Sequence, residues 1–207
     1  MFRMKQYPSI PSKINSELDI YAFDKLDGSN IRVEFSPKSG FSKFGTRRRL
    51  LSEKDDRLGK AITLFKEGWE PHLLKIFAKQ RWHHNVVLFF EFFGEKSFAG
   101  YHHDDDIHKL VLIDVDVYKS GLVAPRDFID IFGSLSIPKL LYHGKCNVTF
   151  IESVKNSTLE GMSFEGVVCK AYRPKRGNIM FKLKSQAWLD KVKDKFGDKP
   201  ELLQELI

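Results

Sequence analysis

Tyr21-Ala22-Phe23-Asp24-Lys25-Leu26-Asp27-Gly28-Ser29-Asn30-Ile31-Arg32-Val33-Glu34-Phe35 holds one lysine between two runs that read as strands, residues 21 to 24 and 31 to 35. In Lys25-Leu26-Asp27-Gly28-Ser29-Asn30 an amine, a carboxylate and a glycine turn share one small space. A free lysine has a pKa of about 10.4, so roughly one in a thousand is an unprotonated amine near neutral pH. Burial or neighbouring cations destabilise the ammonium and make such a lysine a nucleophile. Alone, the string also fits a hairpin turn with two solvated charges.

Further segments follow in order, each joining an apolar run to charge. Ser42-Lys43-Phe44-Gly45-Thr46-Arg47-Arg48-Arg49 clusters guanidinium groups suited to phosphate. Val86 to Gly94 sets a single carboxylate, Glu91, inside an apolar strand where it needs a partner. Val111-Leu112-Ile113-Asp114-Val115-Asp116-Val117-Tyr118 alternates at strand period, with two carboxylates on one face. Phe164-Glu165-Gly166-Val167-Val168-Cys169-Lys170 comes next, then Phe181-Lys182-Leu183-Lys184, whose two lysines project from one strand face.

This ordered set resembles the covalent lysyl-nucleotidyltransferase superfamily of ATP-dependent RNA ligases, DNA ligases and mRNA capping enzymes. The likeness runs from about Tyr21 to Lys184 and is nearest to the phage-type RNA ligases and their editing-ligase relatives. Lys25 to Asn30 looks like motif I, Arg47 and its neighbours like motif Ia, and Glu91 with Gly94 like motif III. Ile113-Asp114 resembles motif IIIa, Glu165-Gly166 motif IV, and Lys182 with Lys184 motif V.

The resemblance implies an α+β nucleotidyltransferase domain and an RNA ligase that uses ATP and Mg²⁺, with Mn²⁺ as a substitute. It makes Lys25 the nucleophile that takes AMP from ATP, with Lys182 and Lys184 neutralising phosphate charge and lowering the lysine's pKa. Asp27 and Glu165 become the metal carboxylates. Asp24 becomes an acceptor for the adenine amino group, Arg47 (or Arg48) a phosphate or ribose contact, and Glu91 an acceptor for the ribose hydroxyls. Motif IIIa usually carries an aromatic residue for base stacking, and Ile113 stands in that place. The implied partner is RNA with a 5′-phosphate and a 3′-hydroxyl end. A compact nick-sealing DNA ligase and a non-catalytic nucleic-acid-binding module are the alternatives. Only 23 residues (207 minus 184) follow Lys184, too few for an appended OB domain.

Composition agrees. The 207 residues, 42% apolar and 13% aromatic, are enough for one domain with a real core. A formal charge of +7 suits a polyanion. No apolar run is long enough to span a bilayer and the N-terminus lacks a signal-peptide core. Cys146 and Cys169 are too few for a disulfide framework, so the expected compartment is the reducing cytoplasm.

Strands are further expected at 86 to 93, 110 to 118, 166 to 171 and 178 to 184. Helices are expected over about 54 to 80, with an apolar stripe of Leu73, Leu74 and Phe77 and a break near Gly68 to Pro71, and over 125 to 132. Ser185 reads as the N-cap of a helix through Trp188 and Val192, and a short helix is expected after Pro200. The Phe89 to Phe93 rings are assigned to the core, with alternate rings pointing inward. His83-His84 and His102 to His108 read as solvated rather than metal-binding, and Trp188 fits either core or site.

Overall fold

The computed structural model describes residues 5–12, 17–94, 106–198 and 201. Both His102-His103-Asp104-Asp105 and the helix expected after Pro200 lie outside the described residues, apart from residue 201. The chain is α+β, with every strand pairing antiparallel. In chain order the elements are β1 (Asp19–Asp24), β2 (Ser29–Ser36), β3 (Gly40–Gly45), β4 (Leu50–Leu51), α1 (Gly59–Gly68) and α2 (Glu70–Gln80). There follow β5 (Val86–Phe93), β6 (Lys109–Val117), β7 (Gly121–Leu122), α3 (Pro125–Phe132) and β8 (Leu140–Lys145). Last come α4 (Val148–Lys155), β9 (Gly166–Arg173), β10 (Gly177–Lys184) and α5 (Gln186–Phe196). Neither sheet among the described residues is an OB barrel.

The chain divides into two compact units. Among the described residues the first draws on 5–8, 28–94 and 106–137, and the second on 9–12, 17–27, 138–198 and 201. The first unit holds a six-stranded sheet in the order β4-β3-β2-β5-β6-β7. Its central strand β5 is buried from Val86 through Phe90, because both faces are covered. Phe90 meets Phe65 of α1 and Trp69 of the helix junction edge-on, with centroids 5.7 and 4.9 Å apart. Phe89, pointing the other way, packs 4.9 Å from Tyr7 of the N-terminal segment. The expectation of alternate rings facing the core is therefore corrected: rings of both parities are core.

Two further details differ from the pattern in the sequence. The helix starts at Gly59 rather than near 54, because the Asp55 carboxylate accepts the backbone N–H groups of Arg57 and Leu58 and holds a turn there. Leu73 and Phe77 are buried as the stripe requires, but Leu74 is exposed.

The second unit holds a four-stranded sheet in the order β10-β9-β1-β8. One face buries Ile20, Ala22, Val167, Cys169, Ala171, Phe181 and Leu183 against Phe150 and Val154 of α4. The opposite face takes the intervening residues, including Lys182 and Lys184. Ser185 caps α5 by accepting the N–H of Trp188 at 3.1 Å, as its position suggested. That helix packs through Trp188, Val192 and Phe196, with Phe164 and Leu189 alongside.

Candidate active site

In the second unit β1, an inner strand, ends at Asp24 and delivers Lys25 to the end of the sheet, where backbone bonds fix it. The Lys25 N–H donates to Gly166 O at 2.9 Å, and the Ser163 hydroxyl donates to Lys25 O at 3.3 Å. Gly166 has φ of +129°, and a Cβ there would lie 2.1 Å from Leu183 O, so only glycine lets β9 start this close to β10. The backbone of Glu165 is held in turn by the Ser185 N–H at 3.1 Å.

These constraints aim three charges at one point. Glu165 Oε1 lies 2.8 Å from Lys25 Nζ and 3.1 Å from Lys184 Nζ. The Lys184 side chain is 7% exposed and that of Glu165 is 4% exposed, whereas Lys25 keeps 23% and so remains open to a reactant. The Lys184 ammonium also sits 3.4 Å from the centre of the buried Trp188 ring. Burial pulls the Lys184 pKa down to about 8, with Lys25 and Lys182 adding to the fall and Glu165 opposing it. Lys182, two residues earlier on the same face, is anchored through its N–H to Pro11 O at 2.9 Å.

The second oxygen of Glu165, Oε2, is buried and finds no hydrogen-bond partner among the described residues. A hard divalent cation satisfies such an oxygen either directly or through one of its waters. No group of three or more His, Cys, Asp or Glu side chains converges among the described residues. Asp27 is half-buried two residues beyond Lys25. Asp24 accepts the Ser163 N–H at 2.8 Å, and burial raises its pKa against that bond.

A family model described as RNA ligase matches residues 19–184. The chain belongs to the RNA ligase family. Its fold is similar to that of solved Naegleria gruberi RNA ligase structures. A lysine-to-alanine variant of that ligase with ATP and Mn matches at a TM-score of 0.64 and 18% identity, over 87% of this chain and 53% of that one. A glutamate-to-alanine variant with AMP and Mn matches at 0.64 and 17%, over 92% and 61%. The same ligase with pyrophosphate matches at 0.62 and 18%, over 92% and 60%. This RNA ligase family member therefore spans between about half and three-fifths of the length of those structures. A search of curated protein sequences finds no match to the chain.

The remaining motif residues of this ligase-family chain lie in its first unit. Glu91 stands opposite Asn30 on β2 and Val111 on β6. Ile113 is the extra residue of a bulge in β6, since Phe89 pairs with Asp114 and Phe90 with Leu112, and it is the one half-exposed residue within an otherwise buried stretch. Arg47 is exposed in the turn after β3, with Nη2 3.5 Å from Pro8 O. Tyr7 donates its hydroxyl to Asp114, and Asp114, Glu91 and Arg47 all act on its ionisation. Burial first, then the Asp114 charge, pushes the Tyr7 pKa well up.

Gly28 is required for a different reason than turn flexibility. Its φ is ordinary, but a Cβ would lie 2.4 Å from Phe92 O. Sequence reasoning missed Tyr7 and Ser163, which carry no motif. It left Trp188 undecided, although Ser185 as N-cap already placed Trp188 in the first turn after Lys184.

Proposed function

We propose that this chain is an ATP-dependent RNA ligase working through a lysyl-AMP intermediate. The observation that carries the proposal is the Lys25–Glu165–Lys184 cluster, with a solvent-reachable amine and a buried, unsatisfied carboxylate oxygen. A binding module would need the cations but has no use for a buried carboxylate, whose desolvation its ion pairs barely repay.

In the first step the Lys25 Nζ lone pair forms an N–P bond to the α-phosphorus of ATP while the bond to the bridging oxygen breaks and pyrophosphate leaves. Lys182 and Lys184 hold the charge that spreads over the phosphate oxygens. Glu165 and Asp27 would hold Mg²⁺ or Mn²⁺, which when bound neutralises phosphate charge and competes with Lys25 for the carboxylate. In the second step an oxygen of the RNA 5′-phosphate displaces Lys25 from the AMP phosphorus. A 3′-hydroxyl then attacks the adenylylated end and AMP departs. Every step is displacement at phosphorus: pyrophosphate and AMP leave as anions in the first and third, and in the second the Lys25 amine leaves and takes up a proton. Negative charge gathers on the same phosphate oxygens each time, so one set of cations serves all three. On the resemblance, Asp24 reads the adenine amino group, and Arg47, Glu91 and Ile113 are nucleotide contacts.

The test is incubation with Mg²⁺ and α-labelled ATP followed by denaturing electrophoresis. The protein should become covalently labelled, GTP should label poorly, and Lys25→Ala should abolish the label. A labelled Lys25→Ala protein would remove Lys25 from its role. Junctions with RNA or DNA on either side complete the experiment, and sealing should need ribonucleotides at the 3′-hydroxyl side because the 2′-hydroxyl marks RNA locally. Equal sealing of an all-DNA nick would make it a DNA ligase.

A further inference from the structure

The turn between β9 and β10 reads Tyr172-Arg173-Pro174-Lys175-Arg176-Gly177, and its first five residues are exposed. From Lys170 to Lys184 the chain carries six cations and no carboxylate. Tyr172 is 54% exposed, unusual for so large a ring on a strand. Cys169 and Ala171 point into the buried cluster, so Lys170 and Tyr172 point to the other face, the one that carries Lys182 and Lys184. On β1, Ile20 and Ala22 are likewise in the cluster, which puts Tyr21 on that same opposite face. Tyr21 pairs with Lys170 on one side and with His143 of β8 on the other. The Tyr21 and His143 rings stack, with centroids 4.0 Å apart and planes 19° apart, and His143 is exposed. The Asp19 carboxylate, two residues before Tyr21, is paired with Lys145 at 3.0 Å.

We infer that this end of the four-stranded sheet is a track for single-stranded RNA, separate from the Lys25 cluster. Lys175 and Arg176, with Arg173 on the other side of β9 from Tyr172 by the same alternation, take backbone phosphates around the hairpin tip, while Tyr172 and the Tyr21–His143 stack offer ring faces to bases. Aromatic rings beside a basic groove are how proteins hold single strands without reading sequence. RNA is the occupant because the hairpin carries three exposed cations and no carboxylate, Asp19 nearby is already paired with Lys145, and the exposed Tyr172 and His143 rings flank the half-buried Tyr21, a combination that a merely solvated hairpin does not need. Tyr21 lies four residues before Lys25, about 13 Å at strand rise. That span is about four stacked nucleotides at 3.4 Å each, so the track would grip the strand a short distance from the junction. The identity of the ligand rests on the RNA-ligase reading.

The experiment measures fluorescence anisotropy of a labelled 12-nucleotide single-stranded RNA over a range of salt, together with labelling by α-labelled ATP. The triple substitution Arg173→Ser/Lys175→Ser/Arg176→Ser should weaken binding and reduce the log–log salt slope by about two, at roughly 0.7 for each single-strand phosphate that is no longer neutralised. Tyr172→Ala should weaken binding roughly fivefold to a hundredfold with little sequence preference, and Tyr172→Phe should retain it. Self-adenylylation should be unchanged in all of these, since the first step uses no RNA.

Affinity and salt slope equal to wild type in the triple substitution overturn the track. So does a triple substitution that weakens RNA and heparin alike while Tyr172→Ala changes nothing, which would mark a plain polyanion surface. Equal loss of RNA binding in Tyr172→Phe and Tyr172→Ala also overturns the base-stacking role. The two proposals fail separately: a wild-type protein that binds RNA along this track but takes no label sinks the ligase reading alone.

Discussion

The two sheets solve different problems with the same antiparallel geometry. The six-stranded sheet covers both faces of its centre with rings, Phe90 toward α1 and Trp69 and Phe89 toward Tyr7, so Glu91 and Ile113 sit in a frame set by packing. The four-stranded sheet gives one face to an apolar cluster and sets Lys182, Lys184 and the Tyr21–His143 stack on the other. There the charges position one another, with Glu165 between Lys25 and Lys184 and Trp188 beneath. Packing resists substitution by its volume. A charge cluster resists by its balance, and pH can shift that balance.

The largest effect is expected where the charge balance breaks. Glu165→Gln should lower labelling by ATP more than a hundredfold and also destabilise the fold by roughly 3 kcal/mol near neutral pH, because two ammonium groups lose their buried counter-charge. Glu165 raises the Lys184 pKa, so in the variant that pKa falls below about 8. The stability deficit should then shrink as pH rises toward 8, because Lys184 sheds its proton earlier in the variant than in the wild type. Chemical denaturation of both proteins at pH 6.5 and pH 9 checks this, and a deficit that is the same at both would mean the cluster is not electrostatically coupled.

Phe90→Ala tests the other sheet. Removing a fully buried ring should cost about 3–5 kcal/mol. Activity per folded molecule, measured well below the lowered melting temperature, should stay within a few-fold of wild type. A large loss of activity in a protein that melts normally would erase the contrast between the sheets.

The third prediction concerns the Lys184 pKa of about 8, lowered chiefly by burial. The folded pKa lies below the unfolded value of about 10.4, so the penalty on the fold is full below pH 8 and disappears toward pH 10.4. Stability should therefore rise by up to a few kcal/mol across that window, to the extent that Lys184 alone titrates. Adenylylation should move the opposite way and fall as pH rises through 8, since the neutral amine no longer stabilises phosphate charge. Trp188→Leu keeps the site apolar but removes the ring beneath the ammonium, which should shift the fall of the rate to lower pH. Trp188→Phe should restore part of it. A uniformly slower enzyme with an unmoved profile would make Trp188 a packing residue.

What the sequence disclosed follows the same division. The strands that carry motifs, β1, β2, β5, β6, β9 and β10, were legible because alternation and apolar runs mark strands with a covered face. Strand β8 was not, because its burial pattern holds no fully buried residue and so no periodic signal. Helix α4 was hidden by Val148, Thr149 and Ile151, β-branched residues of low helix propensity held by the Asn147 cap and by packing of Phe150 and Val154. Lys25, Glu165 and Lys184 could be named in advance. That Glu165 bridges the two lysines and that Trp188 supports Lys184 are facts of tertiary placement, and Tyr7 reaches Asp114 across 107 positions of chain.

The smallest effect is expected at the bulge of β6. A bulge re-aims one side chain out of the strand's alternation, and Ile113 is the residue so placed, half-exposed while Leu112 and Asp114 beside it are buried. If that side chain lies against the base of ATP, Ile113→Phe should tighten ATP binding, since a ring contact adds roughly 0.5–1.5 kcal/mol beyond the area it covers. The gain should be greater for ATP than for tripolyphosphate, which has no base to stack, and the melting temperature should change little. Titration calorimetry with both ligands and a thermal melt make the comparison. Equal affinities combined with a lower melting temperature would instead place Ile113 in the packed interior of the first sheet and leave base stacking to another residue.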